Sequence, residues 1–178
     1  MGDNGPRVLI DQAAIEAKVA ELAARISHDY AEVDDLVLIG VLKGSFIFLA
    51  DLARRLTIPR SVDFIALSTY ADSTNTSGAV RLIMDLRRNI AGRHVLVVED
   101  IVDTGYTLDY LLRTRAAREP ASLKTCVLVR KPDRAKVDVH IDYLGFDIPD
   151  VWVVGYGLDC ADQHRTLPYI GTVAPGSV

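Results

Sequence analysis

Three carboxylates and two hydroxyls crowd into one short stretch of this chain: Glu99, Asp100 and Asp103, then Thr104-Gly105-Tyr106-Thr107. They follow the apolar run Val95-Leu-Val-Val98 and precede a helical pattern. In a turn that opens a helix, unpaired N–H groups face outward, a glycine lets a ligand approach the backbone, and threonine hydroxyls add donors. Residues 104 to 107 therefore read as a cradle for a phosphate. The neighbouring carboxylates would repel a bare polyanion, so they call for hydroxyl groups, a divalent cation or a proton to remove. A phosphorylated sugar with free hydroxyls and bound Mg²⁺ meets all three demands. The plainer reading is that the carboxylates cap a helix and face water.

Such a turn must be held by elements the sequence also announces. Ile15, Val19, Leu22, Ile26 and Tyr30 recur at helical spacing, and Asp11 stands where it could cap that helix. Leu36 to Leu42 is a continuous apolar run of the kind buried on both faces of a parallel sheet. Ser45 to Leu56 reads as a nearly all-round apolar helix capped by Ser45. Further strands are predicted over Val62–Leu67, His94–Val98 and Lys124–Val129, with a helix from about Tyr106 to Arg118, stopped by Pro120. Ser68 to Gly78 reads as a surface loop, and Arg81 to Arg93 as an Arg-rich edge segment. Strands alternating with helices predict a doubly wound, mainly parallel α/β sheet flanked by helices, with its ligand site beyond the carboxyl ends of the strands. At 178 residues the chain is one domain, 1–178, with no linker or internal repeat.

With 49% hydrophobic and 25% charged residues, the composition is that of an ordinary globular protein. The balance of 20 Lys and Arg against 24 Asp and Glu gives −4, which argues against wrapping nucleic acid or lying on an anionic membrane. Cys126 and Cys160 suggest neither a disulfide framework nor a zinc site, and no His pair has metal spacing. No stretch approaches ~18 apolar residues. A cytoplasmic protein is expected.

The segment from Val95 to Leu108 closely resembles the phosphoribosyl-pyrophosphate signature of type I phosphoribosyltransferases. Val41-Leu-Lys-Gly-Ser-Phe46, Ser68-Thr-Tyr70, Arg130-Lys-Pro132 and the run Leu144 to Asp159 are similar, in order and spacing, to hypoxanthine-guanine phosphoribosyltransferases of the bacterial type. The resemblance implies a type I phosphoribosyltransferase fold with a small hood built from the chain's ends. It also implies transfer of the phosphoribosyl group from phosphoribosyl pyrophosphate to hypoxanthine or guanine, with Mg²⁺ as cofactor and pyrophosphate as the second product. A homodimer or homotetramer goes with it.

Carried over residue by residue, the resemblance assigns Glu99 and Asp100 to the ribose hydroxyls, directly or through the metal, and Asp103 to the purine N7 as general base or proton carrier. Residues Thr104, Gly105, Tyr106 and Thr107 bind the 5′-phosphate. Lys43 and Gly44 form the pyrophosphate loop, with a cis peptide before Lys43, and Arg165 reaches pyrophosphate with its planar fork. Thr69 and Tyr70 belong to a flexible lid. Lys131 donates to the purine 6-oxo group, Trp152 stacks on the base, and the backbone of Val153 contacts the exocyclic position. Asp159 serves a second Mg²⁺ beside the base. Two departures accompany the match: Thr69 and Cys160 stand where the family most often has serine and tyrosine. A competing reading is an RNA-binding attenuation regulator that retains the core, for which Arg81, Arg87, Arg88 and Arg93 would be the basic face.

Overall fold

A computed structural model describes residues 5–69 and 80–174. Its elements are β1 (Arg7–Ile10), α1 (Gln12–Asp29), β2 (Leu36–Leu42), α2 (Phe46–Arg55), β3 (Arg60–Thr69), β4 (Val80–Met84), β5 (His94–Val102), α3 (Tyr106–Ala116), β6 (Ser122–Arg130), a 3₁₀ turn (Pro132–Arg134), β7 (Tyr143–Asp147), β8 (Trp152–Val154) and β9 (Ile170–Val173). Among the described residues, one sheet runs β4-β3-β2-β5-β6-β7. Only β4 is antiparallel to its neighbour.

Side chains of the central strands alternate between two apolar layers, as a period of two requires. Leu36, Leu38, Leu96, Val98, Cys126 and Leu128 face α1 and α2. Val37, Ile39, Val41, Val95, Val97 and Val127 face α3, which contributes Leu108 and Leu111. These runs are apolar throughout because both faces are covered. Asp11 does cap α1, its carboxylate accepting from Ala14 N–H at 2.8 Å. Cys126 is fully buried, and burial pushes its thiol far above the ordinary range, in keeping with a small core hydrophobe.

Four sequence expectations need correction. Ser45 does not cap α2: its hydroxyl turns back to donate to Val41 O at 2.7 Å. Nor is α2 apolar all round, since Phe48, Leu49 and Leu52 are buried while Asp51, Arg54 and Arg55 form ion pairs on its outer side. Strand β5 continues to Val102, so Glu99 and Asp100 lie inside it rather than beyond its end. Ser68 and Thr69 end β3 and do not belong to the loop.

A second sheet, β1-β9-β8, is antiparallel and draws one strand from the start of the chain and two from its end. It is the hood that the resemblance implies, standing at the carboxyl side of the large sheet. There, the direction in which connections step across the sheet reverses between the parallel strands β2 and β5, since β2 connects outward to β3 and β5 outward to β6 on the other side. Open α/β sheets bind ligands at such a switch point.

Candidate active site

The loops after β2 and β5 meet at that crevice. Gly44 sits so close to Asp100 that an added Cβ would lie 1.7 Å from Asp100 Oδ2. A Cβ on Gly157, whose φ is +101°, would lie 2.0 Å from Gly44 O. Only glycine lets the 155–159 loop touch the Gly44 backbone and the Asp100 carboxylate lie against that same residue, which fixes Lys43, Asp100 and the 155–159 loop relative to one another. The peptide between Leu42 and Lys43 is cis, as the resemblance implies.

Glu99 is 6% exposed, and its Oε2 is buried without a hydrogen-bond partner among the described residues. Burial, and then the charge of Asp100, push its carboxyl well above the usual carboxylate range. Burial raises Asp100 as well, against hydrogen bonds and the Arg165 charge that lower it. Two adjacent carboxylates held in this state are poorly satisfied by the protein alone. A hard cation or sugar hydroxyls would supply the missing partners. Among the described residues no three of His, Cys, Asp and Glu stand together as ligands for one metal ion. The carboxylates expected for Mg²⁺ are therefore split, with Glu99 and Asp100 at one point and Asp159 at another. That fits an ion that takes one or two protein carboxylates and completes its octahedron with water and substrate phosphates.

Beyond β5 the chain turns through Gly105, at φ +90°, into α3. The first backbone bond past the turn runs from Asp109 N–H to Gly105 O at 3.0 Å, and the N–H groups of Thr104 to Thr107 have no backbone acceptor among the described residues. Free N–H groups at a helix start suit a phosphate, as expected of residues 104–107. Tyr106 is 38% exposed and turns outward.

On the opposite flank, Arg165 Nη2 lies 2.7 Å from Asp159 Oδ1 in an ion pair and donates to Asp162 Oδ1 at 2.9 Å, while Nη1 donates to Gly157 O at 2.8 Å. Lys43 Nζ lies 3.0 Å from the same Asp162 carboxylate. The two cations expected to meet pyrophosphate thus converge on one anion, Asp162. Lys43, and then Arg165, hold that carboxyl below its ordinary range.

The base side is lined from β6 onward. Lys131 is buried, its N–H donating to Val102 O at 2.9 Å and its Nζ lying 3.7 Å from Asp150 Oδ1. Trp152 is 59% exposed, which removes it from the core, while Val153 beside it is buried in the hood pairing with Thr172. Tyr70, expected in a lid, and the side chain of Thr69 lie outside the described residues. Sequence reasoning did not find Asp162, Arg134 or Asp150. Arg134 donates from Nε to Asp103 Oδ1 at 2.9 Å, and this contact raises its affinity for its own proton.

The arginines weighed as an RNA-binding face are dispersed in role. Arg93 pairs with Asp35, and the backbone N–H groups of Arg87 and Arg88 are taken by the buried Asp63. That alternative draws no support.

Comparison with known proteins agrees with this geometry. Residues 9–161 match the phosphoribosyl transferase domain model. The hypoxanthine-guanine phosphoribosyltransferase of Mycobacterium tuberculosis is 49% identical over 173 residues, covering 94% of this chain and 86% of its own. Among solved structures, a hypoxanthine-guanine phosphoribosyltransferase from Bacillus anthracis superposes with a TM-score of 0.89 at 46% identity, over 94% of this chain and 98% of its own. The Trypanosoma cruzi hypoxanthine phosphoribosyltransferase in complex with the product IMP gives 0.91 at 41% identity, over 100% and 99%. The chain belongs to the phosphoribosyl transferase family, among its hypoxanthine-guanine phosphoribosyltransferases.

Proposed function

We propose that this protein transfers the 5-phosphoribosyl group of phosphoribosyl pyrophosphate to hypoxanthine or guanine, forming IMP or GMP and releasing pyrophosphate. The observation that carries the reading is a free-donor turn at 104–107 shortly after a buried carboxylate, Glu99, that lacks a partner for Oε2, together with a buried Lys131 and an exposed Trp152.

Each part has a role in the transfer. The turn at 104–107 holds the 5′-phosphate and so fixes C1 of the ribose. Glu99 and Asp100 orient the ribose hydroxyls and, with Asp159 at the other point, would hold Mg²⁺. When bound, that ion neutralises charge on the departing diphosphate. Lys43 and Arg165 receive the pyrophosphate, with Gly44 allowing close approach to the backbone. As the purine N9 bonds to C1 and the bond to diphosphate breaks, Asp103 accepts the proton leaving N7. A positioned carboxylate contributes ~10²–10⁴-fold in such a step. Lys131 donates to the 6-oxo group, an acceptor that adenine lacks. Trp152 stacks on the ring, and the Val153 backbone meets the exocyclic substituent.

Two copies of the chain associate on this reading, because Val62, Phe64, Ile83 and Met84 leave apolar surface exposed at the β3–β4 end of the sheet. The cytoplasm fits a chain whose Cys126 and Cys160 are both free. Among the described residues no helix is long and apolar enough to cross a membrane.

Steady-state kinetics with hypoxanthine, guanine, xanthine and adenine, each with phosphoribosyl pyrophosphate and Mg²⁺, tests the proposal. Turnover of hypoxanthine and guanine with little or none of adenine is expected. Preference for adenine, or no pyrophosphate release with any base, would overturn it.

A further inference from the structure

We propose that Arg134 positions the carboxylate of Asp103, making its guanidinium a further positioning residue of the transfer. The inference rests on the reading of Asp103 as the group that accepts the purine proton. Arg134 ends the short turn Pro132–Arg134, just after Lys131. That segment is bolted to the phosphate turn through the backbone. Lys131 N–H donates to Val102 O at 2.9 Å, and the N–H groups of Lys136 and Val137 both donate to Thr104 O, at 2.9 and 3.1 Å. A Cβ on Gly105 would lie 2.6 Å from Val137 O, so the two segments are in contact without a side chain between them. Arg134 and Asp103 therefore stand on pieces of chain that cannot shift independently.

The side-chain geometry is directional. Nε of Arg134 donates to Asp103 Oδ1 at 2.9 Å, while Oδ2 has no partner among the described residues. Holding one oxygen turns the other toward the crevice. On its far side Nε lies 3.8 Å from Asp150 Oδ1, and Lys131 Nζ lies 3.7 Å from that same oxygen. Asp103, Arg134, Asp150 and Lys131 form a chain of alternating charge. Its two ends are the groups that face N7 and the 6-oxo oxygen, neighbouring atoms on one edge of a purine. Arg134 and Asp103 are 46% and 40% exposed, so their ion pair adds little stability. Its consequence lies in orientation, which a rigid fork supplies and the point charge of a lysine does not.

The test is kinetic. Arg134→Ala, Arg134→Lys, Asp103→Asn and the Arg134→Ala/Asp103→Asn double variant are compared for kcat and for KM of phosphoribosyl pyrophosphate, with single turnover under excess enzyme to follow slow variants. Arg134→Ala is expected to lower kcat about 10- to 100-fold, the scale of an ångström's misplacement. KM for phosphoribosyl pyrophosphate should stay within about twofold, and Arg134→Lys should recover only part of the loss. In the Asp103→Asn background, removing Arg134 should change the rate by less than about twofold, since no carboxylate remains to be oriented. An unchanged kcat in Arg134→Ala, or an equal loss in both backgrounds, would overturn the proposal. Failure of the underlying reading looks different: Asp103→Asn alone would then leave kcat intact.

Discussion

Asp162 occupies the place where two cations wait for an anion. Lys43 lies 3.0 Å from it and Arg165 2.9 Å, and these are the cations proposed to receive pyrophosphate. On that proposal the internal carboxylate must give way before pyrophosphate can take both cations. Lys43 and Asp162 are 67% and 63% exposed, so the contact is screened and worth at most ~1 kcal/mol. Asp162→Asn should therefore tighten binding of magnesium pyrophosphate, by no more than about fivefold. Calorimetric titration at low and moderate salt checks this, and weaker binding in the variant would mean that Asp162 instead preorganises its cations. The residues read from the sequence as a phosphate turn and a carboxylate set were legible because that chemistry is contiguous, running from Glu99 to Thr107. Asp162 and Arg134 were not, because their partners Lys43 and Asp103 are distant in sequence. No local pattern encodes such a meeting. It is set by how the loops pack, and nothing in the sequence says which segments the glycines at 44, 105 and 157 bring into contact.

At the scale of elements, the central strands could be read directly because burial on both faces leaves an unbroken apolar run. The hood strands β1, β8 and β9 are three or four residues long, and their exposed positions blur any alternation. Their pairing joins the two ends of the chain, which only the resemblance anticipated. The misreading of Ser45 has a similar origin: a hydroxyl before a helix can bond forward as a cap or back to the preceding strand, and here it bonds back. One tie between elements was invisible in the sequence. Arg115 of α3 is 2% exposed and meets Asp85, beyond β4, at 2.6 Å, with Arg118 on the other oxygen of that carboxylate. Partial burial works against ionisation of Asp85, but hydrogen bonds from Arg115, the Leu86 N–H and Arg118 outweigh it and lower the carboxyl from 3.8 to about 2. A carboxylate depressed by folding stabilises the native state above its unfolded pKa, and that contribution is lost as pH falls through the folded value. Asp85→Asn should cost about 1–2 kcal/mol at neutral pH, because the buried Arg115 charge loses its partner while solvent screens the 37% exposed Asp85. The stability gap between wild type and variant should then close between pH 4 and pH 2, the window set by those two values. Denaturant melts across pH 2 to 7 measure it. A gap that stays constant through that range would show that the pair contributes nothing by charge.

For the whole molecule, a net charge of −4 says little about an anionic substrate, because the acidic and basic groups of the crevice are balanced locally. It says more about association between copies, since weak mutual repulsion leaves contact to be decided by apolar surface. That surface is concentrated at one end of the large sheet. On β3, Val62 and Phe64 are 41% and 36% exposed while Asp63 and Ile65 between and beside them are buried. The strand thus presents an apolar side to solvent where alternation would normally place polar residues. Ile83 and Met84 of β4, at 60% and 40%, continue it, and Phe46 at the start of α2 is 41% exposed. A sheet end of this kind is an aggregation hazard unless it is covered, and a second copy of the same chain, as proposed, would cover it with a self-complementary patch. Phe64 and Ile83 are the informative residues because both are large and neither belongs to the buried layers. Light scattering coupled to size exclusion should give twice the chain mass for the wild type and a single chain mass for Phe64→Glu/Ile83→Glu, with the far-ultraviolet circular dichroism of a folded protein retained. Lys43 and Gly44 lie between the end of β2 and the start of α2, next to Phe46, so dissociation should also raise KM for phosphoribosyl pyrophosphate. A variant that stays dimeric would move the interface elsewhere, and a wild type already monomeric at micromolar concentration would leave the apolar patch without the partner assigned to it.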